Sequence, residues 1–432
     1  MKHAFFKNFI RSLAVLLGTA VMACALSACS SATSAATATP VPTALPAATA
    51  SPAPTEAPAG DQADATPTAA PAAAQADDTV QVFFIKSGKS DAILITSAGC
   101  AYLVDTGTEE SVPAILGAMH LIGVEALDGI LITHTHSDHV GGLSTLLSAF
   151  PCGAVYRAAI SQHKKDGSNV IDDAALDAGF STVLLNAGDT LSLGGDAILT
   201  VLGPLALNED DDNDNSLVLM LTAGGTRCLL TGDMQFAEEA SLLAAGTDFE
   251  AAILKVGNHG NPDATSEAFA YAVDPAIVVF TTDRSVDEDT ANERVRELFP
   301  NARQFITDET VQGVLVTIGT DGTVSVTEPV AGNELPVTIS AVDEDGQVLT
   351  LTNPSGEDQD LSGCMLSTGK SGAFFCFPSG TILPAGQSLT VGGSKADADF
   401  SFPVKKPFSG KQYDGVTLFD AYGNEACFFP AP

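Results

Sequence analysis

His134-Thr135-His136-Ser137-Asp138-His139 decides how this chain is read, together with Gly129-Ile130-Leu131-Ile132 before it and Val140-Gly141-Gly142 after it. The preceding run is short, apolar and β-branched, the pattern of a buried strand. Three imidazoles and a carboxylate then crowd the strand's C-terminal end, where open α/β sheets place their chemistry. Of the seven histidines in the chain, three fall in these six residues, a concentration that argues for a shared ligand. Extended backbone sends alternate side chains to one face, so His134 and His136 can grip one ion together. Asp138 and His139 lie where the chain turns into a helix, and they face a second ion roughly 3.5–4 Å away, the separation of two-metal hydrolases.

Working outward, carboxylates and a histidine recur at the ends of further apolar runs. Thr79–Ile85, Ala92–Ile95 and Ala101–Val104 read as strands, the last ending in Asp105-Thr106-Gly107. Arg227–Leu230 leads into Thr231-Gly232-Asp233, and Leu254-Lys255-Val256 leads into Gly257-Asn258-His259-Gly260. Ser111–Ile122, Thr265–Tyr271 and Glu293–Phe299 carry helical spacing, and Ala276–Phe280 is strand-like. Val314–Ile318 and Val324–Val326 flank an Asp-Gly turn and form a closing hairpin. His120 and His163 read as surface or packed histidines. Asp91 reads as a turn cap. The acidic run Glu209–Asn215 lacks the Gly and terminal Glu of an EF-hand, so it reads as a solvated loop rimming the site.

The ordered set resembles the metallo-β-lactamase superfamily, whose HxHxDH motif is matched by His134, His136, Asp138 and His139. Gly88–Ile95 and Leu103–Gly107 resemble the GxGDAILI and LIDTG segments of the branch that includes the external hydrolase domain of ComEC-type DNA-uptake proteins. Asn215–Leu219, Leu230–Asp233 and Leu254–Gly260 resemble its NxSLVL, LxGD and LKVxHHG segments. The resemblance implies an αββα fold over residues 78–330 and a site for one or two divalent ions, zinc or manganese. It implies His134, His136 and a bridging Asp233 at the first ion, and Asp138, His139, Asp233 and His259 at the second. Asp105 and Asn215 would support the ligands from behind. Asn258 stands where the family has the first of two histidines; it can donate a hydrogen bond to a developing oxyanion but cannot act as a general acid.

The N-terminus belongs to no core. Lys2, Lys7 and Arg11 precede the apolar stretch Leu13–Leu26, a signal-peptide pattern too short to span a membrane. Leu26-Ser27-Ala28-Cys29 resembles a lipoprotein lipobox, which implies a signal peptide over 1–28 and lipidation at Cys29. Residues 29–77 are rich in Ala, Pro and Thr and cannot bury enough apolar surface to order themselves. At about 3 Å per residue such a tether reaches up to ~150 Å. The formal charge of −34 repels nucleic acid and anionic lipid at long range. It does not exclude phosphodiesters, because bound divalent ions can reverse the local field.

Residues 336–432 change character to short strands with Asp-Gly and Pro-Ser-Gly turns, the signature of a β-sandwich. Val348–Asn353, Asp360–Cys364 and Phe377–Gln387 resemble the lamin-tail domain, an immunoglobulin-like module. Cys364 replaces that family's Trp, so a cavity or a disulfide with Cys376 or Cys427 must take up the volume. The resemblance implies a binding or spacing module that meets a cell-wall or protein partner.

The expectation is thus a lipid-anchored metallohydrolase on the extracellular face of the membrane, or a secreted one if the lipobox is unused. A metal-bound hydroxide would attack a phosphodiester, of nucleic acid or of the cell wall, with Asp138 orienting it. A lactam or lactone hydrolase is the alternative within hydrolases. A non-catalytic surface binding protein with a degenerate site, signalled by Asn258, is the alternative outside them.

Overall fold

The computed structural model describes residues 79–432 apart from Asn333 and Pro432; the expected signal peptide, Cys29 and the tether lie outside the described residues. The chain opens with three antiparallel strands, β1 (Val80–Ile85), β2 (Ile93–Ser97) and β3 (Cys100–Val104). Helix α1 (Val112–Leu121) then crosses to β4 (Gly129–Ile132), which runs parallel to β3. The sequence-marked turn follows as α2 (Ser137–Val140) and α3 (Leu143–Ala149). The sheet continues through β5 (Val155–Ala158), α4 (Val170–Asp177) and the edge strand β6 (Thr182–Leu185).

The second sheet begins with β7 (Thr190–Ser192), β8 (Ile198–Gly203), β9 (Val218–Ala223) and β10 (Thr226–Leu230). It continues as three parallel additions: β11 (Ile253–Lys255) after α5 (Phe236–Ala244), β12 (Ile277–Phe280) after α6 (Glu267–Val273), and β13 (Arg303–Ile306) after α7 (Glu293–Glu297). The hairpin of β14 (Gly313–Ile318) and β15 (Val324–Thr327) returns to the first sheet, with β14 alongside β1.

Burial on both faces explains the unbroken apolar runs. Along β1, Val82 and Phe84 point into the layer between the sheets, packed with Leu131, Leu219 and Leu230, while Phe83 and Ile85 point to the outer layer with Ile115, Leu143 and Ile171. On the far side Leu229, Leu254 and Phe280 meet Leu242, Phe269 and Val295 of α5, α6 and α7. This is the αββα arrangement: each sheet has one face on its neighbour and one under helices.

The C-terminal domain packs two four-stranded sheets. One holds β16 (Thr338–Asp343), β17 (Val348–Thr352), β22 (Ser388–Gly392) and β23 (Phe400–Ser401); the other holds β19 (Met365–Ser367), β20 (Phe374–Cys376), β24 (Gly415–Phe419) and β25 (Glu425–Pro430). A short ribbon of β18 (Gln359–Asp360) and β21 (Ile382–Leu383) completes it. Among the described residues no disulfide forms: Cys364, Cys376 and Cys427 are free. Cys364 is buried in an aliphatic and aromatic core with Leu361, Phe377, Phe402 and Leu418, so packing fills the space that the missing Trp leaves.

This domain is docked on the first. Met365 and Phe374 belong to the same apolar cluster as Ile115 and Leu143. The turn after β24 lies so close to α1 that a Cβ on Gly117 would stand 2.2 Å from the Tyr422 backbone, and one on Gly423 would stand 2.5 Å from the Pro113 carbonyl. The Gln312 side chain donates to the Tyr422 carbonyl (3.2 Å) and accepts from the Ala331 amide (2.9 Å). His120 stacks edge-on against Tyr422 at 5.0 Å, which fixes it as a packing residue of this contact.

Candidate metal centre

Asp105 ends β3 in a left-handed conformation (φ 60°), sparsely populated by non-glycine residues, and its carboxylate is spent on the neighbouring strand end. It accepts the Thr133 amide (2.7 Å), the Thr133 hydroxyl (2.8 Å) and the His139 Nδ1–H (2.8 Å). The next residues of β4's extension place His134, and His136 caps α2, which carries Asp138 and His139 on its single turn. From the second sheet, Asp233 follows β10 across Gly232. There φ is 51°, and a Cβ would stand 2.9 Å from Ser216 and 3.1 Å from Thr133, so only glycine fits. The Asp233 amide donates to Ser216 Oγ (3.0 Å), and the Leu217 amide donates to the Thr133 carbonyl (3.0 Å), stitching the two sheets together at the site.

His259 also sits in left-handed backbone (φ 53°), and its Nδ1–H donates to the Thr281 carbonyl at 2.7 Å. With both His139 and His259 donating from Nδ1, each ring turns its Nε2 toward the pocket. The two Nε2 atoms stand 3.2 and 3.3 Å from Asp233 Oδ2, and His259 Nε2 is 3.5 Å from Asp138 Oδ2. Donor atoms of Asp138, His139, Asp233 and His259 all lie within 4.8 Å of one another. His134 and His136 form a separate pair, Nε2 to Nδ1 3.1 Å, with the His134 ring 4.1 Å from that of His139. His134 is buried; His136 is exposed.

Behind the ligands lies an ion pair whose partner the sequence reading left out. Asp91 is buried and bonded to Lys255, itself fully buried, and it accepts the Thr281 hydroxyl; it is a structural charge and caps no turn. Lys255 Nζ donates to the Gly232 carbonyl (2.7 Å) and stands 3.5 Å from Asp233 Oδ1. At the mouth, Lys89 Nζ donates to Asp138 Oδ2 at 2.7 Å.

These charges shape the titration. Burial opposes a charge on His139, but Asp233 and Asp105 outweigh it and raise the imidazole well above its usual value. Burial likewise opposes a charge on His259, and Asp233 and Asp138 raise it. Burial disfavours ionised Asp233, yet His139, His259 and Lys255 hold it well below the carboxylate range. His134, buried beside His139, is pushed down and stays neutral.

The acidic run proves to be part of the scaffold. Asp212 and Asp214 are buried, and Asp212 accepts the Thr135 amide at 2.9 Å as well as the Thr135 hydroxyl, pinning the residue between His134 and His136. Asn215 acts one step further back: its amide donates to Asp212 Oδ1 (3.0 Å) and the Asn208 carbonyl (2.9 Å). Glu209 and Asp210 are exposed as a solvated rim would be, but that reading is corrected for Asp212–Asn215, because a backbone so close to the histidine loop must have its polar groups satisfied. The Asn258 side chain is engaged with Asp263 Oδ1 at 3.0 Å. His163 lies on an exposed segment.

The residues fit a divalent cation. His139 Nε2, His259 Nε2 and Asp233 Oδ1 are buried with no hydrogen-bond partner, an arrangement that native proteins avoid unless an ion or water completes it.

Residues 86–282 match the model of the metallo-beta-lactamase superfamily, and residues 331–429 match that of the lamin tail domain. ComE operon protein 3 of Bacillus subtilis (strain 168) is 28% identical over 202 residues, covering 45% of this chain and 26% of that protein. Competence protein ComA of Neisseria gonorrhoeae is 27% identical over 195 residues, with 45% and 26% covered. The chain thus spans about a quarter of the length of these curated relatives. Among solved structures, the metallo-beta-lactamase fold protein YhfI from Bacillus subtilis matches with a TM-score of 0.37 at 14% identity, covering 58% of this chain and 100% of that one. With its HxHxDH strand end and two-sheet core, the stretch 86–282 is a metallo-beta-lactamase superfamily domain similar to part of ComE operon protein 3 and of ComA, and a lamin tail domain follows it at residues 331–429.

Proposed function

We propose that this protein hydrolyses phosphodiester bonds, using one or two divalent ions, zinc or manganese, and that it acts outside the cell on a lipid anchor at Cys29. The observation that supports this most is the pair of buried histidines, His139 and His259, each locked at Nδ1 and offering an unpartnered Nε2 beside the carboxylates of Asp233 and Asp138. His139, His259, Asp233 and Asp138 would hold one ion, and His134 with His136 would hold the other. A bound divalent ion supplies Lewis acidity toward the phosphoryl oxygen and makes water a nucleophile near neutral pH.

The chain's own groups do the rest. Asp105 and the Thr281 carbonyl keep the two imidazoles in the ligating tautomer. Asp138, at the mouth, would orient the attacking water. Lys255 fixes the orientation of Asp233 from behind. The C-terminal domain would meet a cell-wall or protein partner.

The test is bis-p-nitrophenyl phosphate turnover by wild type and His136→Ala, with metal analysis of both. Diester hydrolysis that falls in the variant supports the reading. Nitrocefin turnover without diester turnover would favour a lactam hydrolase, and equal background rates in both would leave a binding protein whose Asn258 marks a lost activity.

A further inference from the structure

Lys89 has no assigned role, and its surroundings indicate one. Its ammonium donates to Asp138 Oδ2, and the two side chains are 23% and 18% exposed, while His139, His259, Asp233, Asp91 and Lys255 are at most 2% exposed. Lys89 and Asp138 are therefore the charged pair that faces incoming solute. The other cation of the cluster, Lys255, is committed to Asp91 and the Gly232 carbonyl and cannot reach outward. The loop that carries Lys89 is held firmly. Ser90 Oγ donates to the Ser87 carbonyl (2.7 Å), Ser111 Oγ donates to the same carbonyl (2.7 Å), and the Asp91 amide donates to the Asp138 carbonyl (3.1 Å).

Asp138 Oδ2 is claimed twice. It is the atom that Lys89 holds and also the one nearest His259 Nε2 within the four-donor group. A carboxylate turned to a dication cannot keep a full-strength bond to an ammonium, because the doubly charged ion at shorter range wins the Coulomb competition. A divalent ion held by Asp138 would therefore free the Lys89 ammonium at the mouth.

From the segment after Thr282, Asp287 is near enough to act electrostatically on Lys89. The neighbouring cations are engaged elsewhere, Arg284 with Asp308 and Glu309 and Lys86 with the Thr310 carbonyl, so Lys89 is the cation poised beside Asp138. We propose that Lys89 anchors the anionic group of the substrate, and that the site takes a small diester bearing a single negative charge in preference to a polyanionic nucleic acid. This rests on the metal reading above.

The experiment uses the full chain as wild type, Lys89→Gln and Lys89→Arg. Zinc and manganese uptake is measured by chelator competition, inorganic phosphate binding by calorimetry, and KM and kcat with bis-p-nitrophenyl phosphate and with neutral p-nitrophenyl acetate. Loss of one charge-assisted hydrogen bond should weaken phosphate binding and raise the diester KM roughly 10- to 100-fold in Lys89→Gln. The neutral ester's KM should move at least ten times less, metal uptake should persist, and Lys89→Arg should restore most of the diester KM. Metal-loaded Lys89→Gln with unchanged phosphate binding and diester KM, or with both esters weakened alike, overturns the anchor role. Single-stranded DNA cleaved as efficiently as the small diester overturns the substrate class. Wild type that takes up no divalent ion overturns the metal reading itself, and this inference with it.

Discussion

The two halves of the candidate centre are built to different standards. Asp138, His139, Asp233 and His259 are backed by a shell of committed partners: Asp105 on His139, the Thr281 carbonyl on His259, and Lys255 and Ser216 on Asp233. His134 and His136 face each other across 3.1 Å with lighter support. The Thr133 hydroxyl lies 3.1 Å from His134 Nδ1, and Asp212 holds the intervening Thr135. His136 itself is exposed. A pocket whose ligands are already oriented pays less to bind, so this four-residue group should take the first equivalent of metal and the histidine pair a weaker second.

The largest test removes a ligand of the stronger half. His139→Ala should lose the tight equivalent and several kcal/mol of transition-state stabilisation, roughly 10³-fold in rate. A variant that retains tight metal by calorimetry would show that the four donors do not work as a unit. Asp105→Asn comes next, since it leaves every ligand in place and removes only the charge behind His139. Tight-site affinity should fall about 10- to 100-fold. An unchanged affinity would mean that the backing carboxylate matters only for folding.

His136→Ala should remove the weak equivalent and leave the tight one within a few-fold. Loss of both in one step would abolish the proposed ranking. The smallest effect is a control from outside both pockets. Glu238, five residues past Asp233, is also buried, but burial and the charge of Asp214 raise its pKa, and neither carboxyl oxygen has a hydrogen-bond partner. An acid with a raised folded pKa contributes most below its unfolded value of about 4.3 and loses that contribution as pH rises through the folded value. Glu238→Gln should therefore match wild type near pH 4 and exceed it by about 1 kcal/mol at pH 8 in urea unfolding. A variant less stable at both would show that the carboxyl is satisfied in a way its geometry does not reveal.

The candidate ligands stand out in the chain because each sits at the C-terminal end of an apolar run, and strand ends are where alternation and turn chemistry are easiest to see. His134, His136, Asp138 and His139 share one such end; Asp233 and His259 have their own. Their supports were harder to find. Asp91 and Lys255 are far apart in sequence and meet only because β11 places its C-terminal residue beside the loop after β1. Local pattern carries no trace of such a pairing. A lysine closing an apolar strand next to a histidine ligand was the one available signal, since a charge inside a buried run demands a partner. Asp212 misled for the opposite reason, as five acidic residues in six resemble solvated loop until the backbone they serve is known. In the C-terminal domain the turns and strands were legible, but the fate of Cys364 depended on how Phe377 and Phe402 fill space, which composition does not record.

The contact between Gly117 and the Tyr422 backbone has a practical consequence. Since Met365 and Phe374 complete the apolar layer over α1 and α3, cutting the chain after residue 330 would uncover that layer and invite the exposed head to stick to itself. The tail is a structural shutter for the enzyme half, and purified fragments of either half would be poor stand-ins for the whole.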